Sequence, residues 1–244
     1  MNKPNLTAYL EACKRAATNL YCFRQDSAIR GVTDTNTYEH GLSCRDYLRI
    51  PAFKFLDLSK FQILDLMGNP PLYDYNPPFN PTTLRHIVTA LRIAMKFGRE
   101  YRVAEIGCGY GALCAALQVI DFSLDYTLID LPEPLDLARE YLSALSAVDH
   151  VTFHQNQTYD AWPPSLVISC YALSELERKD QDWYIDNLLL KADGAFLVMN
   201  TCVEGYTREE WIEKLPGATI EPEVPTTHKD NYTLVWRNSN VSSS

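Results

Sequence analysis

Paired cysteines are the first thing this chain lacks. Its seven cysteines (Cys13, Cys22, Cys44, Cys108, Cys114, Cys170 and Cys202) are odd in number and scattered, with no CxxC pair. That pattern excludes a disulfide framework and a zinc ribbon, and reads the cysteines as reduced thiols. Basic blocks are missing too. With 22 Lys and Arg against 31 Asp and Glu the formal charge is −9, whereas nucleic-acid binding draws most of its free energy from cations that neutralise phosphates. No nucleic-acid partner is expected. No apolar run approaches the roughly 20 residues of a membrane span, and the amino terminus lacks the basic-then-apolar pattern of a secretory leader. The expectation is a cytoplasmic protein without a membrane partner. Ligand spacing for a metal is also absent: His86, His150, His154 and His228 are isolated, and Asp180 and Asp182 pair only on the polar approach to a helix, so no metal site is expected. There is no internal repeat, and nothing in the sequence speaks to subunit number.

What is present is enough apolar residue, 46%, for one substantial core. The pattern predicts an irregular first third and a strictly alternating remainder. Residues 6–28 read as a helix broken by Gly31, and residues 40–50 as a second, ended by Pro51. Between 53 and 79, Pro70, Pro71, Pro77 and Pro78 forbid long elements. A helix then opens at Asn80-Pro81, a capping residue followed by a proline suited to the first helical position. Leu84, Ile87, Val88, Leu91 and Met95 mark its apolar stripe and Gly98 closes it.

From 101 onward short apolar runs alternate with helical segments. Strands are predicted at 101–106, 125–129, 151–153, 166–170 and 195–199. Helices are predicted at 112–120, along the Leu135–Ala138–Leu142–Leu145 stripe, at 183–190 and at 207–215. The runs 218–221 and 232–236 close the chain as an antiparallel pair. Alternation of this kind specifies parallel pairing, because each crossover must carry the chain back across the sheet. The fold class expected is α/β: a Rossmann-like, doubly wound sheet of about seven strands at 99–237, behind a helical amino-terminal extension at 1–98 and before a polar tail at 238–244. Ligands of such sheets bind beyond the carboxyl ends of the strands, where the strand order reverses.

The strongest motif stands at that place. Glu105-Ile106-Gly107-Cys108-Gly109-Tyr110-Gly111 follows the first long strand, and its glycines let the backbone turn tightly and approach a ligand. The spacing is GxGxG rather than the GxGxxG that seats a pyrophosphate on a helix end, which disfavours a nicotinamide dinucleotide. An acid two residues before the first glycine is expected to repel pyrophosphate and to favour a cationic ligand, the ammonium and sulfonium of S-adenosylmethionine. Asp130 ends the second strand 23 positions after Gly107, near the roughly 20-residue offset at which a carboxylate takes the ribose hydroxyls. Its alternative role is to cap the helix that begins at Pro132–Pro134. Asn156 or Gln155, after the third strand, is the candidate for the adenine edge.

These residues also carry a resemblance. The chain resembles the bacterial sugar O-methyltransferase family over roughly two-thirds of its length, from about Tyr38 to Thr201. The carriers are Glu39-His40-Gly41, Asn80-Pro81-Thr82-Thr83-Leu84-Arg85-His86, the glycine motif, Ile129-Asp130-Leu131-Pro132-Glu133, Ile168 to Leu176 with its Tyr171-Ala172-Leu173-Ser174-Glu175-Leu176 block, and Met199-Asn200-Thr201. It departs from the family at Cys108, where glycine is expected, and at Cys170, where asparagine is. The resemblance implies an S-adenosylmethionine-dependent enzyme with a sugar or glycan hydroxyl as acceptor. The residues expected at the cofactor are Glu105, Gly107, Cys108, Gly109, Gly111, Asp130, Leu131, Thr83 and Asn156.

A sugar hydroxyl is a poor nucleophile at neutral pH, so a positioned base is expected. His40 is the candidate, its alternative being a capping histidine. Glu175, after the fourth long strand, is expected to anchor sugar hydroxyls or orient the base. The sequence also offers it a place in a first helical turn behind a Ser174–Glu177 capping box. Arg85 on the helix before the first long strand is a candidate anchor for a carboxylate. The competing readings are a methyltransferase for another small molecule and a catalytically inert cofactor-binding homologue.

Overall fold

The computed structural model describes residues 5–98, 102–120, 124–159, 163–201 and 205–238; Tyr101, Cys202 and the tail after Asn238 lie outside them. The amino-terminal third carries α1 (Leu6–Thr18), α2 (Ser27–Thr33), α3 (Tyr38–Leu48) and a two-stranded hairpin, β1 (Tyr73–Asp74) with β2 (Pro78–Phe79). The single helix expected at 6–28 is therefore two. Asn19 leaves the helix in an extended conformation, and the Asp26 side chain starts the next by accepting the Ala28 amide at 2.9 Å. Gly31 does not break α2 but lies inside it, facing open space; a helical glycine costs only about 1 kcal/mol relative to alanine, less than the cap supplies together with the packing of Ile29.

α4 (Pro81–Phe97) begins at Asn80, whose side chain accepts the Thr82 amide at 2.8 Å, and stops at Gly98. Leu84, Ile87, Val88 and Leu91 are buried as expected, while Met95 is exposed. The alternating remainder follows: β3 (Val103–Ile106), α5 (Ala112–Ile120), β4 (Tyr126–Asp130), α6 (Pro132–Ala144), β5 (Val151–Gln155), β6 (Leu166–Cys170), α7 (Ala172–Glu175), α8 (Arg178–Asn187), β7 (Gly194–Met199), α9 (Arg208–Lys214), β8 (Thr219–Pro222) and β9 (Tyr232–Arg237). The helix expected at 183–190 starts earlier, at Arg178, and gives way to a short 3-10 turn at Leu189–Lys191.

The seven strands from β3 to β9 form one sheet in the order β5-β4-β3-β6-β7-β9-β8, with β9 antiparallel to β7 and β8. Period-two side-chain alternation splits the core between its faces. Val103, Leu128, Ile168 and Phe196 pack on one side under α4, α5 and α6. Ala104, Ile129, Val167 and Leu197 pack on the other under α8 and α9. α1 packs on α6, and α3 on α4; Tyr9, Ile29, Cys44 and Phe61 of the extension belong to the first of these two cores. From β3 the chain winds outward through β4 and β5, then returns to lay β6 against the other side of β3. The order reverses there, so the crevice beyond β3 and β6 is where a doubly wound sheet takes its ligand.

Candidate functional site

The register delivers three chain segments to that crevice. Ile106 pairs with Ile129 and with Ser169, so Gly107, Asp130 and Cys170 leave adjacent strand tips together. Gly107 donates its amide to Ile129 O at 2.8 Å, and Ser169 Oγ donates to Ile106 O at 2.9 Å. Gly107 has φ +76°, and a Cβ there would stand 2.0 Å from the Cβ of Ala172. Only glycine fits between the loop and the exit from β6. Gly109, at φ +55°, likewise faces Thr33 of α2.

Asp130 is the charge that organises the loop. Its Oδ2 accepts the Gly109 amide at 3.0 Å and its Oδ1 the Leu131 amide at 2.7 Å. Leu131, not Asp130, is the N-cap residue of α6. Burial raises the Asp130 carboxyl to about 6, opposed by the Leu131 and Gly109 amides. The Cys108 amide and thiol also bond to it, so the glycine loop holds this carboxylate from several sides. Tyr9 and Cys13 of α1 lie close enough to feel its charge; the extension covers this corner.

Glu105 differs from its expected role. It points into the core, 2% exposed, where its Oε2 accepts the Tyr126 hydroxyl at 2.8 Å. Burial pushes its carboxyl up to about 8, and the Tyr126 bond only partly offsets this. At neutral pH Glu105 is chiefly the uncharged acid, so the negative charge expected of it at the crevice is supplied by Asp130 instead. Cys108 is also buried; its Sγ lies 3.6 Å from Gly109 O and burial holds it as a thiol. Gly111 packs against Leu142 and Ala138 of α6.

On the side of the extension two buried N–H donors lack partners. Asn36 takes Thr82 Oγ1 on its Oδ1 at 3.2 Å but leaves its Nδ2 unpaired. His86 Nε2 faces Arg85 Nη2 at 3.3 Å. Arginine can only donate, so the ring proton sits on Nδ1, which is buried and unpaired. Burial, with Arg85 and Arg24 nearby, keeps that ring neutral. His86 also sets its ring edge-on to Tyr110 of the glycine loop, 6.4 Å between centroids. Unpaired buried donors are costly. Thr83, expected at the cofactor, is instead spent on structure: it donates to Asp65 Oδ1 at 2.6 Å and accepts from Arg24 Nη2 at 3.1 Å. Fully buried Arg24 pairs with Asp34 at 3.1 Å and Asp65 at 2.7 Å, tying three parts of the extension to the start of α4.

The two expected catalytic residues have different fates. His40 is the third residue of α3, where its Nδ1 accepts the Thr37 amide at 3.1 Å and its own amide faces Thr37 Oγ1 at 3.5 Å. With the lone pair spent on Nδ1, the neutral ring carries its proton on Nε2 and has no free base nitrogen. Glu175 is exposed just beyond β6 and its Oε1 accepts Asn200 Nδ2 at 2.6 Å. The expected Ser174–Glu177 box does not form, because α7 ends at Glu175 and Ser174 Oγ is taken up by Tyr171 O and Asn200 Oδ1, both at 2.7 Å. Asn156 is exposed at the end of β5.

Sequence reasoning missed a further cluster beside the crevice. Tyr171, the residue after β6, donates its hydroxyl to Glu223, which is 3% exposed in the β8–β9 connection. Arg85 of α4 holds its guanidinium 5.2 Å from the centre of the Tyr171 ring. The sequence singled out Arg85 and the Tyr171-to-Leu176 block but did not join them; Tyr171 and Glu223 lie 86 and 138 positions from Arg85.

Two clefts, of about 470 and 490 Å³, lie away from the loop, one between α4 and β8 and one at the amino ends of β3, β4 and β5. Among the described residues no group of three or more His, Cys, Asp or Glu gathers as a metal site, and no helix is long and apolar enough to cross a membrane.

No family model and no curated protein matches the chain. Solved structures do. The chain aligns over 96% of its length with the pyocyanin biosynthetic protein PhzM, at 14% identity and a TM-score of 0.51, spanning 69% of that protein. It aligns over 63% with the CcbJ methyltransferase from Streptomyces caelestis, at 12% identity and a TM-score of 0.50, spanning 88% of it. An O-methyltransferase family protein from Burkholderia thailandensis aligns over 65% at 13% identity and a TM-score of 0.49, and the chain spans 60% of that protein. The fold is that of class I methyltransferases, a mixed seven-stranded sheet with flanking helices.

Proposed function

We propose that the protein is an S-adenosylmethionine-dependent O-methyltransferase whose acceptor is a sugar hydroxyl, free, nucleotide-linked or glycan-bound. The observation that carries this reading is the Asp130 carboxylate bound to the Gly109 amide at the tips of β3 and β4, beside the point where strand order reverses.

The residues present fit the cofactor. Asp130 stands at the strand tip where a carboxylate can take ribose hydroxyls, Gly107 and Gly109 let the chain approach without side chains, and the unpaired donors of Asn36 and His86 suit an amino-acid carboxylate. Asn156, exposed just after β5, is the residue assigned to the adenine edge in this reading. When bound, the cofactor supplies an electrophilic methyl group on a sulfonium. The protein's part is to hold an acceptor oxygen in line with it, from which much of the rate gain of such displacements comes. On the acceptor side, Glu175 and Asn200 present a carboxylate and an amide near the ends of β6 and β7. Tyr38 and Tyr73, each about 40% exposed and 5.5 Å apart, offer ring faces on which a sugar can stack. The motifs shared with the sugar O-methyltransferase family support the same acceptor.

A second reading, transfer to a small molecule other than a sugar, is favoured by the likeness to a pyocyanin biosynthetic protein, which takes in the helical extension as well as the sheet. Calorimetry with S-adenosylmethionine, then labelled methyl transfer to a panel of sugars and phenolic acceptors, tests both. Binding with label on sugars is the result expected. Label on phenols alone moves the acceptor to the second reading, and absence of binding at cellular cofactor concentrations refutes the enzyme.

A further inference from the structure

Resting on that reading, we propose that Tyr171 and Glu223 form the proton relay of the reaction: the acceptor hydroxyl docks on the Tyr171 hydroxyl and gives up its proton through it to Glu223.

Four observations carry this. Tyr171 is a non-glycine residue at φ +71°, a backbone state that costs of order 1–3 kcal/mol and gathers at functional sites; it is pinned there by its amide on Val198 O at 2.7 Å. Its neighbour Ala172 fills the space over Gly107, so the phenol leaves the chain one residue from the cofactor loop, and the side chain is only half-buried. Glu223 is buried behind it and surrounded by donors: the Tyr171 hydroxyl, the Thr227 amide at 2.6 Å and Thr227 Oγ1, which lies 2.9 and 2.8 Å from the two carboxylate oxygens. Thr227 Oγ1 in turn accepts from Asn231 at 2.9 Å. A carboxylate that only accepts hydrogen bonds is the form able to take a proton. Finally, the Arg85 guanidinium, 5.2 Å from the centre of the Tyr171 ring, also donates a hydrogen bond to the Tyr171 hydroxyl and so holds the phenol between α4 and the β8–β9 connection. Burial, reinforced by Glu223 and opposed by Arg85, lifts the phenol to about 12, so Tyr171 starts protonated and must exchange protons rather than simply accept one. The charged and titratable groups around the pair are Arg85 of α4, Cys44 of α3 and Cys170 of β6.

The step balances. The acceptor oxygen forms a bond to the methyl carbon of S-adenosylmethionine as the carbon–sulfur bond breaks, and that electron pair stays on sulfur, which leaves as a neutral thioether. The acceptor's proton passes to the Tyr171 oxygen while the Tyr171 proton passes to Glu223. The products are a methyl ether and a neutral Glu223, one sulfonium charge having cancelled one carboxylate charge. Glu223 acts through Tyr171 and is a positioning and proton-storing residue; Tyr171 is the catalytic residue that touches the acceptor.

The test uses the full chain, labelled S-adenosylmethionine and a pooled panel of free hexoses, 6-deoxyhexoses and nucleotide sugars. Tyr171→Phe and Glu223→Gln each should lower kcat on the order of 100-fold, with the sugar KM and the calorimetric affinity for S-adenosylmethionine within about twofold of wild type. The double variant should be no slower than the worse single one, because both changes cut one relay. In Glu223→Gln the rate should also climb about tenfold per pH unit above neutrality, as hydroxide replaces the lost base, where the wild type is flat. Retention of kcat within threefold by either variant overturns the relay. So does a loss confined to KM or matched by lost cofactor affinity, the signature of a pair that only staples the β8–β9 connection to β6. A wild-type protein that binds the cofactor yet labels no sugar refutes the sugar reading instead, and the relay to a sugar hydroxyl with it.

Discussion

Replacing Glu105 by glutamine separates the observed site from the one that the glycine motif alone suggests. The fold holds this carboxyl at about 8, against a usual value near 4.3 in an unfolded chain. A carboxyl raised on folding binds its proton more tightly in the native state, so its contribution to stability is greatest below the unfolded value. It is lost progressively as pH rises towards the folded one. At pH 7 the gap is more than two and a half pH units, at about 1.4 kcal/mol each. Keeping Glu105 buried therefore costs the wild type about 3–4 kcal/mol there, rising by roughly another 1 kcal/mol by pH 8 and vanishing below about pH 4. Glutamine keeps an oxygen for the Tyr126 hydroxyl but has no proton to hold. Denaturant unfolding of wild type and Glu105→Gln between pH 4 and 8 should give curves that diverge by about 1.4 kcal/mol per pH unit in favour of the variant. The affinity for S-adenosylmethionine at neutral pH should change by no more than a few-fold. Parallel stability curves would mean that Glu105 is ionised in the folded protein and would refute this reasoning; a drop in affinity of a hundredfold would return Glu105 to the role of counter-charge for the sulfonium.

Other substitutions test the remaining parts. Gly107→Ala must place a side chain at φ +76° and 2.0 Å from Ala172; the backbone strain and overpacking together should cost about 2–5 kcal/mol in chemical denaturation, and a variant of wild-type stability would contradict the packing described. Arg24→Met leaves Asp34 and Asp65 buried without their cation, so stability should fall by about 3–5 kcal/mol at neutral pH; an unchanged melting temperature would count against the network. His40→Ala should keep turnover within about threefold while α3 loses a reciprocal cap worth about 1 kcal/mol; a hundredfold fall in kcat would restore His40 as the base.

Much of the sheet was legible because each parallel strand is a short apolar run bounded by turn residues, and Asn80-Pro81 and Gly98 bracket α4 with local chemistry. The placement of the glycine motif and Asp130 at strand ends was legible for the same reason. What escaped depended on contacts between distant segments. The break at Asn19 has no glycine or proline to announce it, while Gly31 announces a break that the Asp26 cap and the burial of Ile29 override. Ser174 reads as a cap until Asn200, 26 positions on, claims its hydroxyl. Glu105 is uncharged because the fold buries it, which the bond from Tyr126, 21 positions on, only partly offsets, and the pairing of Tyr171 with Glu223 spans 52 positions. Neither spacing carries a periodic signal, so only the folded sheet brings them together.

The most direct test of the central claim is a calorimetric titration of S-adenosylhomocysteine into the wild-type protein and Asp130→Asn. A site in which Asp130 holds the ribose predicts micromolar binding to the wild type and binding at least tenfold weaker to the variant. Equal affinity in the two proteins, or no heat with the wild type, would contradict it.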